Sequence, residues 1–222
     1  MSRNILITGG SRGIGAACVE AFAALGDRVF FLYHHNHAAA EQVAERTGEI
    51  LSALNYGERE AELGKIAGFM HDIGNIVNRS EHSQSGAVMA FRILDNMGMN
   101  PEEIANIVTA IGNHDEGTGV PVSPLAAALI LADKSDVRRS RVRCEDDIKT
   151  DIHDRVNYSV VDSSFLLNTE DNTATLSLTI DTSISSLIDY FDIFMERMTL
   201  CRKAAEKLGL FFKLKINGQS FI

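Results

Sequence analysis

The sequence has few cysteines, no long apolar run and no excess of basic residues. The three cysteines, Cys18, Cys144 and Cys201, are odd in number and far apart, which argues against a disulfide framework and favours a reduced, cytoplasmic protein. No apolar stretch approaches the roughly 20 residues that a membrane-spanning helix needs. The net charge of −9 leaves no basic surplus to neutralise a nucleic-acid backbone. We therefore expect neither a membrane nor a nucleic acid as a partner.

The remaining composition is that of an ordinary globular protein. The chain has 222 residues, of which 45% are hydrophobic and 23% are charged. These fractions are typical of soluble domains, and the length suits one large domain or two modest ones. The pattern of residues changes near residue 50.

Residues 3–33 have the pattern of a strand, a glycine turn, a helix and a second strand. The segment Thr8-Gly9-x-x-x-Gly13-x-Gly15 resembles the cofactor turn of the short-chain dehydrogenases. In that family the glycines let the backbone approach a pyrophosphate at a helix N-terminus. The resemblance covers residues 1–48 and predicts a truncated Rossmann-like βαβ segment.

The features that would complete a dehydrogenase are missing from the rest of the sequence. None of the four tyrosines has a lysine four residues later, so the Tyr-x-x-x-Lys pair of that family is absent. A single βαβ piece also lacks the crevice, at a reversal of strand order, in which dinucleotides bind. Binding of NADP is therefore disfavoured, and the glycine turn is interpreted as the remnant of a fusion.

From residue 51 the sequence predicts amphipathic helices that place five polar residues in line with apolar stripes. One helix from Glu58 leads into a His-Asp pair, and another, over 81–97, carries Met89, Ile93 and Met97. A third begins at Asn100-Pro101, with a capping Asn and Pro at the first helical position. A core helix follows from Pro124. The five polar residues are His71, Asp72, His82, His114 and Asp133.

This set offers imidazole and carboxylate ligands without thiolates. Such ligands suit a divalent ion such as Mn, Fe, Ni, Mg or Zn. A site of this kind usually activates water. The sequence therefore predicts a metal centre built from several helices.

The runs HDIGN, AIGNHDEGTGVP and ALILADKSD together resemble the HD-domain metal-dependent phosphohydrolases over residues 50–140. The GTGVP stretch and the additional histidines are similar to the HD-GYP subgroup, which cleaves cyclic dinucleotides. The resemblance implies an all-helical domain that binds one or two metal ions. By motif position His71 and Asp72 match the doublet and Asp133 the final aspartate, while His82 and His114 match two additional histidines.

Three positions depart from the family pattern. Asn75 stands where the subgroup usually has lysine, and Asn113 stands where it has the first of two paired histidines. The family also has a histidine some thirty residues before the doublet, and the register places that position near Ala39. Nearby histidines that offer a substitute ligand are His34, His35 and His37.

If the reaction is hydrolysis of a phosphate ester, the residues around the His71-Asp72 doublet can be given expected roles. Asp72 is placed to orient the nucleophile, and Lys134 is a second catalytic candidate. Arg138 and Arg139 are candidates for holding substrate phosphate, with Arg79 as a weaker one. The basic run that begins at Arg138 is also typical of a solvated face. The expected substrate is small and phosphorylated, a nucleotide or another phosphate ester.

The tail predicts a hairpin over 159–181, a helix over 183–208 and a last strand, which form a lobe that covers the helical domain or makes a homodimer contact. The predicted fold is mainly α: residues 1–48 are the truncated segment, 49–155 the helical HD domain and 156–222 the α+β lobe. Three functions remain open. They are a metal-dependent phosphohydrolase, a catalytically impaired HD module that binds metal or nucleotide, and an NADP-binding dehydrogenase-like protein.

Overall fold

The computed structural model describes residues 4–8, 13–25, 28–32, 37–137 and 152–221. These residues divide into two compact units, 1–41 and 42–222. The first unit contains strand β1 (Asn4–Thr8), helix α1 (Gly13–Ala24) and strand β2 (Arg28–Leu32), with β1 and β2 paired in parallel. This confirms the predicted strand–helix–strand order, while Gly9, His34 and His35 lie outside the described residues.

Helix α2 (His37–Ala53) leads into the second unit, where four more helices and a short 3₁₀ helix form the helical domain. Helix α5 begins where its sequence predicts, because Asn100 Oδ1 accepts a hydrogen bond from the Glu102 amide at 2.8 Å and Pro101 follows the cap. Ser123 caps α6 in the same way. The elements are α3 (Glu58–Met70), the 3₁₀ helix (Ile73–Ile76), α4 (His82–Asn96), α5 (Pro101–Gly112) and α6 (Pro124–Lys134).

Helix α6 is the centre of this domain. Every residue from Leu125 to Lys134 is buried, because α6 contacts α3, α5 and a C-terminal helix. A helix that is apolar on all sides must be covered on all sides. The same burial encloses the two charged residues at its end, Asp133 and Lys134.

The buried face of α4 differs from the predicted one. The sequence analysis placed Met89, Ile93 and Met97 on the inward stripe, but Met97 is 57% exposed and lies beyond the end of the helix. Small residues form the inward face instead, because the backbone of the 3₁₀ helix lies close to α4. A Cβ added to Gly86 would lie 3.2 Å from the Gly74 amide nitrogen. The face that packs inward consists of His82, Ser83, Gly86, Ala90 and Leu94.

The C-terminal lobe is α+β, as predicted. Strands β3 and β4 form the expected antiparallel hairpin, and β4 and β5 pair in parallel through a long helix. That helix begins four residues later than predicted, because Ser186 and Asp189 form a reciprocal capping box at its start. The elements are α7 (Ile152–Ser159), β3 (Val160–Asn168), β4 (Thr173–Ile180), α8 (Leu187–Lys207), β5 (Phe211–Ile216) and β6 (Gln219–Ser220).

Two expectations concern the cysteines and the membrane. Cys18 and Cys201 are free thiols, and burial raises the pKa of Cys201 to about 12. Cys144 lies outside the described residues. Within the part of the chain that the structure describes, every helix is too short or too polar to cross a lipid bilayer.

Gly74 provides a test of how the doublet is packed. A Cβ at this position would collide with the carbonyl oxygen of His82 and would lie 2.6 Å from the Gly86 amide nitrogen. Because backbone atoms cannot move aside as a side chain can, we expect Gly74→Ala to destabilise the protein by about 3 kcal/mol, at the upper end for overpacking. Urea unfolding measures the change.

Gly117→Ala is the matched control for this substitution. Apart from its chain neighbours, no heavy atom of the described residues lies within 4 Å of the position that a Cβ would take at Gly117. Its effect should stay within about 0.5 kcal/mol. Equal stability of the two variants would show that the contact between the 3₁₀ helix and α4 is not tight.

Candidate metal centre

The five residues that the sequence selected as metal ligands lie together at the ends of helices. His71 directly follows α3, Asp72 comes next, and His82 is the first residue of α4. His114 lies two residues beyond α5, and Asp133 is the second-last residue of α6. Their ligand atoms form two overlapping groups, each within 4.8 Å, which share His114. Four of the five are buried, and the Asp72 side chain is 46% exposed.

The three imidazoles are oriented by the same kind of hydrogen bond. The Nδ1 atoms of His71, His82 and His114 lie 2.7, 3.0 and 2.6 Å from the carbonyl oxygens of Gly68, Arg79 and Ile111. A carbonyl oxygen can only accept, so each Nδ1 carries the proton and donates it. This tautomer leaves the lone pair of a neutral imidazole on Nε2, which faces the cluster, and such outer hydrogen bonds are usual for metal-binding histidines.

Five pairwise distances between the inward atoms lie in the range that two ligands of one metal ion have. Donor atoms that each lie about 2.1 Å from one ion are separated by about 3.0 to 4.2 Å. The Nε2 atom of His71 is 3.7 Å from Asp72 Oδ2 and 3.6 Å from Asp133 Oδ1. Asp72 Oδ1 is 3.3 Å from His82 Nε2 and 4.0 Å from His114 Nε2. The two Nε2 atoms of His82 and His114 are 3.2 Å apart.

The charges of the cluster favour a cation. The pKa of His114 falls to about 4 because it is buried and close to His71, so this imidazole is neutral near neutral pH. Burial opposes the charged form of His71, but the hydrogen bond and charge of Asp133 and the charge of Asp72 outweigh it and raise the pKa to about 8. The hydrogen bond to Asp72 raises the pKa of His82. Both carboxylates have lowered pKa values although burial acts the other way. The site therefore collects negative charge and lone pairs that a proton or a metal ion must balance.

The two oxygens of each aspartate have different neighbours. Asp72 Oδ2 faces His71, whereas Asp72 Oδ1 faces His82 and His114. Asp133 Oδ1 faces His71, whereas Asp133 Oδ2 is 2.7 Å from the ammonium group of Lys134. Asp133 thus has one oxygen left for an ion, while Asp72 has two.

Lys134, which the sequence assigned to catalysis, is surrounded by carboxylates. Besides Asp133, its ammonium group lies 3.6 Å from Glu116 and 3.8 Å from Asp115. Burial lowers the pKa of Lys134, but the charges of Asp133 and Glu116 and the hydrogen bond to Asp133 outweigh it, so the pKa is raised. The lysine is therefore engaged with three acids. Its catalytic role remains a prediction.

The other sequence-predicted residues fall outside the cluster or outside the described residues. Arg138 and Arg139 lie in the segment that the structure does not describe. Arg79 is exposed and contributes its backbone carbonyl to orient His82. Asn113, which replaces a family histidine, donates its side-chain amide to the Thr109 carbonyl at 2.9 Å.

Sequence reasoning missed one residue that reaches this region from the C-terminal lobe. Arg197 of α8 donates from Nε to Glu116 Oε1 at 2.7 Å, across 81 residues of sequence. The sequence predicted that the tail forms a lobe that covers the helical domain or makes a homodimer contact. No motif marks Arg197, because its position opposite Glu116 depends on the packing of α8 against α6.

Comparison with known proteins places two families on the chain. Residues 38–138 match the HD domain model, and residues 3–58 match the short chain dehydrogenase model. The chain therefore carries an HD domain that follows a dehydrogenase fragment, as the sequence predicted. HD domains are generally those of metal-dependent hydrolases, and such a domain implies a divalent metal ion, for which candidate ligands are present here.

Curated relatives match only a small part of the chain. The cyclic-di-GMP-binding biofilm dispersal mediator protein of Escherichia coli (strain K12) is 41% identical over 64 residues, which is 29% of this chain and 27% of that protein. A probable galactose dehydrogenase of Rhizobium meliloti (strain 1021) is 50% identical over 68 residues, which is again 29% of this chain and 27% of that protein. The acetoacetyl-CoA reductase of Shinella zoogloeoides is 41% identical over 76 residues, which is 34% of this chain and 32% of that protein. The chain thus spans less than a third of the length of each of these relatives.

Lys134→Met tests whether the lysine stabilises the buried aspartate. The substitution keeps the length of the side chain but leaves the Asp133 carboxylate without its cation, so we expect a loss of about 3–5 kcal/mol in the presence of EDTA. The unfolding free energy in urea measures it. Lys65→Met is the control, because the pair of Lys65 with Glu45 is exposed and should contribute under about 1 kcal/mol. Similar losses in the two variants would contradict the structural role of Lys134.

Proposed function

We propose that this chain is a metal-dependent phosphohydrolase that cleaves a nucleotide or another phosphate ester. The observation that carries the proposal is the set of inward ligand-atom distances, 3.2 to 4.0 Å, combined with three Nε2 atoms freed by Nδ1 hydrogen bonds. His71, Asp72, His82, His114 and Asp133 would hold the metal. The chemistry supplied by such an ion is activation of water near neutral pH and neutralisation of charge on a phosphoryl group.

Asp72 is the carboxylate best placed to act on a nucleophile. Its side chain is 46% exposed, whereas that of Asp133 is 8% exposed and paired with Lys134. A substrate can approach the exposed carboxylate, and an acceptor oxygen there can orient a water molecule and receive its proton. The geometry supports Lys134 as a residue that orients Asp133. The phosphate-binding roles of Arg138 and Arg139 remain proposals from the sequence.

The kinds of ligand atom narrow the choice of metal ion. Imidazole nitrogens suit Mn, Fe, Ni or Zn better than Mg, which prefers oxygen ligands and keeps several waters. Because the two oxygens of Asp72 face different histidines, this residue can serve one ion or bridge two. The absence of a thiolate among the candidate ligands leaves a hard or borderline divalent ion as the proposal.

A second candidate function is an impaired HD module that binds metal or nucleotide without turnover. Two observations favour it. Asn113 occupies a family ligand position and turns to a helix carbonyl, and the position of the first family histidine falls near Ala39 on α2. Of the three nearby histidines, His34 and His35 lie outside the described residues. A homodimer and a cytoplasmic location stay predictions.

Removing Asp72 separates the metal centre from an ordinary His-Asp pair. Asp72→Ala should weaken binding of Mn²⁺ by at least about a hundredfold, because the loss of a ligand exceeds the tenfold to hundredfold loss typical for outer residues. The fold should persist, since Asp72 is half exposed and packs no core. Metal analysis after gel filtration measures retention. Asp154→Ala is the control, because Asp154 also follows a histidine but belongs to neither ligand group.

Hydrolysis decides between the two candidates. The wild-type protein with Mn²⁺ should cleave a chromogenic phosphate ester, and Asp72→Ala should not. Metal binding without cleavage would favour the impaired module. Full metal retention by Asp72→Ala would contradict the proposed ligand set.

The third alternative, binding of NADP, is tested by heating. In the described residues the first unit contains two parallel strands, whereas a dinucleotide site needs a crevice at a reversal of strand order. We therefore expect NADPH to leave the melting temperature unchanged, while Mn²⁺ raises it. A ligand at a hundred times its dissociation constant would add about 2.7 kcal/mol, which calorimetry detects easily. A clear shift with NADPH would show that the fragment still binds the cofactor.

A further inference from the structure

The candidate metal centre lies at one end of a row of four alternating charges. Asp133 Oδ2 is 2.7 Å from Lys134 Nζ, and Lys134 Nζ is 3.6 Å from Glu116 Oε1. The same Glu116 oxygen accepts the hydrogen bond from Arg197 Nε at 2.7 Å. The row starts among residues 38–138, which match the HD domain model, and finishes in the C-terminal lobe.

The far end of the row is held firmly. The Arg197 side chain is 14% exposed, and its guanidinium carbon lies 4.2 Å from the centre of the Phe194 ring, a cation–π contact. Phe194 is itself buried on α8. The near end is equally enclosed, because the Lys134 and Asp133 side chains are each 8% exposed. Partly buried charges of this kind are screened little by solvent and depend on their partners.

We infer that Arg197 is a positioning residue for Asp133, so that the C-terminal lobe takes part in building the metal centre. The inference rests on the proposed function. Lys134 has carboxylates of Asp133, Asp115 and Glu116 within 3.8 Å, but its ammonium group is closest to Asp133. Arg197 neutralises Glu116, so Glu116 competes less for the lysine.

The orientation of Asp133 depends on which acid holds the lysine. With Lys134 on Oδ2, the other oxygen of Asp133 points to His71 Nε2, at 3.6 Å, where an ion would bind. Without Arg197, Glu116 is an uncompensated carboxylate that attracts Lys134 away. Asp133 then loses the hydrogen bond that fixes the plane of its carboxylate group. Its other oxygen is no longer held in the direction of His71 Nε2.

Two roles for Arg197 predict opposite changes in metal affinity. If Arg197 acted only through its positive charge, Arg197→Met would tighten binding of a divalent cation, because one repelling charge is removed. If it positions Asp133 through Glu116 and Lys134, the same variant should bind about tenfold more weakly, the scale seen when outer residues of metal sites are lost. Isothermal titration of the metal-free full chain with Co²⁺ measures the dissociation constant.

Two further variants test whether Arg197 acts on Asp133 through Glu116 and Lys134. In the double variant Arg197→Met with Glu116→Gln the competing carboxylate is gone, so Lys134 stays on Asp133 and the affinity should return to within about twofold of wild type. Arg202→Met is the matched control. Arg202 is on the same helix, but its contact with Glu206 is exposed, so Co²⁺ binding should not change. The d–d spectrum at saturating Co²⁺ should shift only in Arg197→Met.

The outcomes separate this inference from the proposed function. Unchanged or tighter binding by Arg197→Met overturns the positioning role and leaves the metal centre standing. A double variant as weak as the single one also overturns it, since the path would not run through Glu116. If Arg197→Met does not fold, the double variant is compared with the wild type instead, and binding about tenfold weaker than that of the wild type overturns the positioning role. Failure of the wild-type protein to bind Co²⁺ overturns the metal centre, and the inference with it.

Discussion

The burial of the Asp133 carboxylate is the constraint on which the centre depends. Helix α6 is covered on all sides, so a charge at its end must find partners within the protein. Lys134 takes one oxygen at 2.7 Å, and the other faces His71. Because Lys134 is buried as well, it needs acids of its own, and Glu116 and Asp115 stand within 3.8 Å. The buried carboxylate of Asp133 is thus paired with the Lys134 cation, and that cation in turn with the carboxylates of Asp115 and Glu116.

His114 could be predicted as a candidate ligand because it continues an apolar helical stripe. His114 follows Ile104, Ile107 and Ile111, all of which are buried, so its direction was readable from the period of α5. The prediction for α4 was weaker. The predicted inward face consisted of large apolar residues, whereas the helix packs through Gly86 and Ala90. These small residues matter because they allow the backbones of neighbouring elements to come close together. Stripes of small residues carry little hydrophobic signal.

The partners of Lys134 could not be predicted, because they depend on tertiary packing. Lys134 follows a predicted ligand, and the sequence therefore suggested a role with substrate. The structure places it among three acids, and one of them, Glu116, is held by Arg197 from a helix that the sequence analysis treated as structural. Periodicity shows which way a side chain points from its own helix, but not which side chain meets it from another.

Helix α2 shows why two unrelated families can match the same residues. The two family models overlap over 38–58, and all of α2 (His37–Ala53) except its first residue lies within that overlap. In the second unit its residues Val43, Ala44, Thr47 and Leu51 are buried. The backbone of Ala44 approaches Gly68 of α3 so closely that this glycine has no room for a Cβ. An alanine-rich amphipathic helix meets the general demands of both folds, since each needs a helix with one apolar face. At the position that the HD pattern is expected to ask for stands Ala39 or a near neighbour, and the histidine that α2 itself offers is His37, its first residue. Generic packing can therefore be kept across a junction of two families without fixing a specific ligand, because burial of an apolar face places no demand on which residue stands near Ala39.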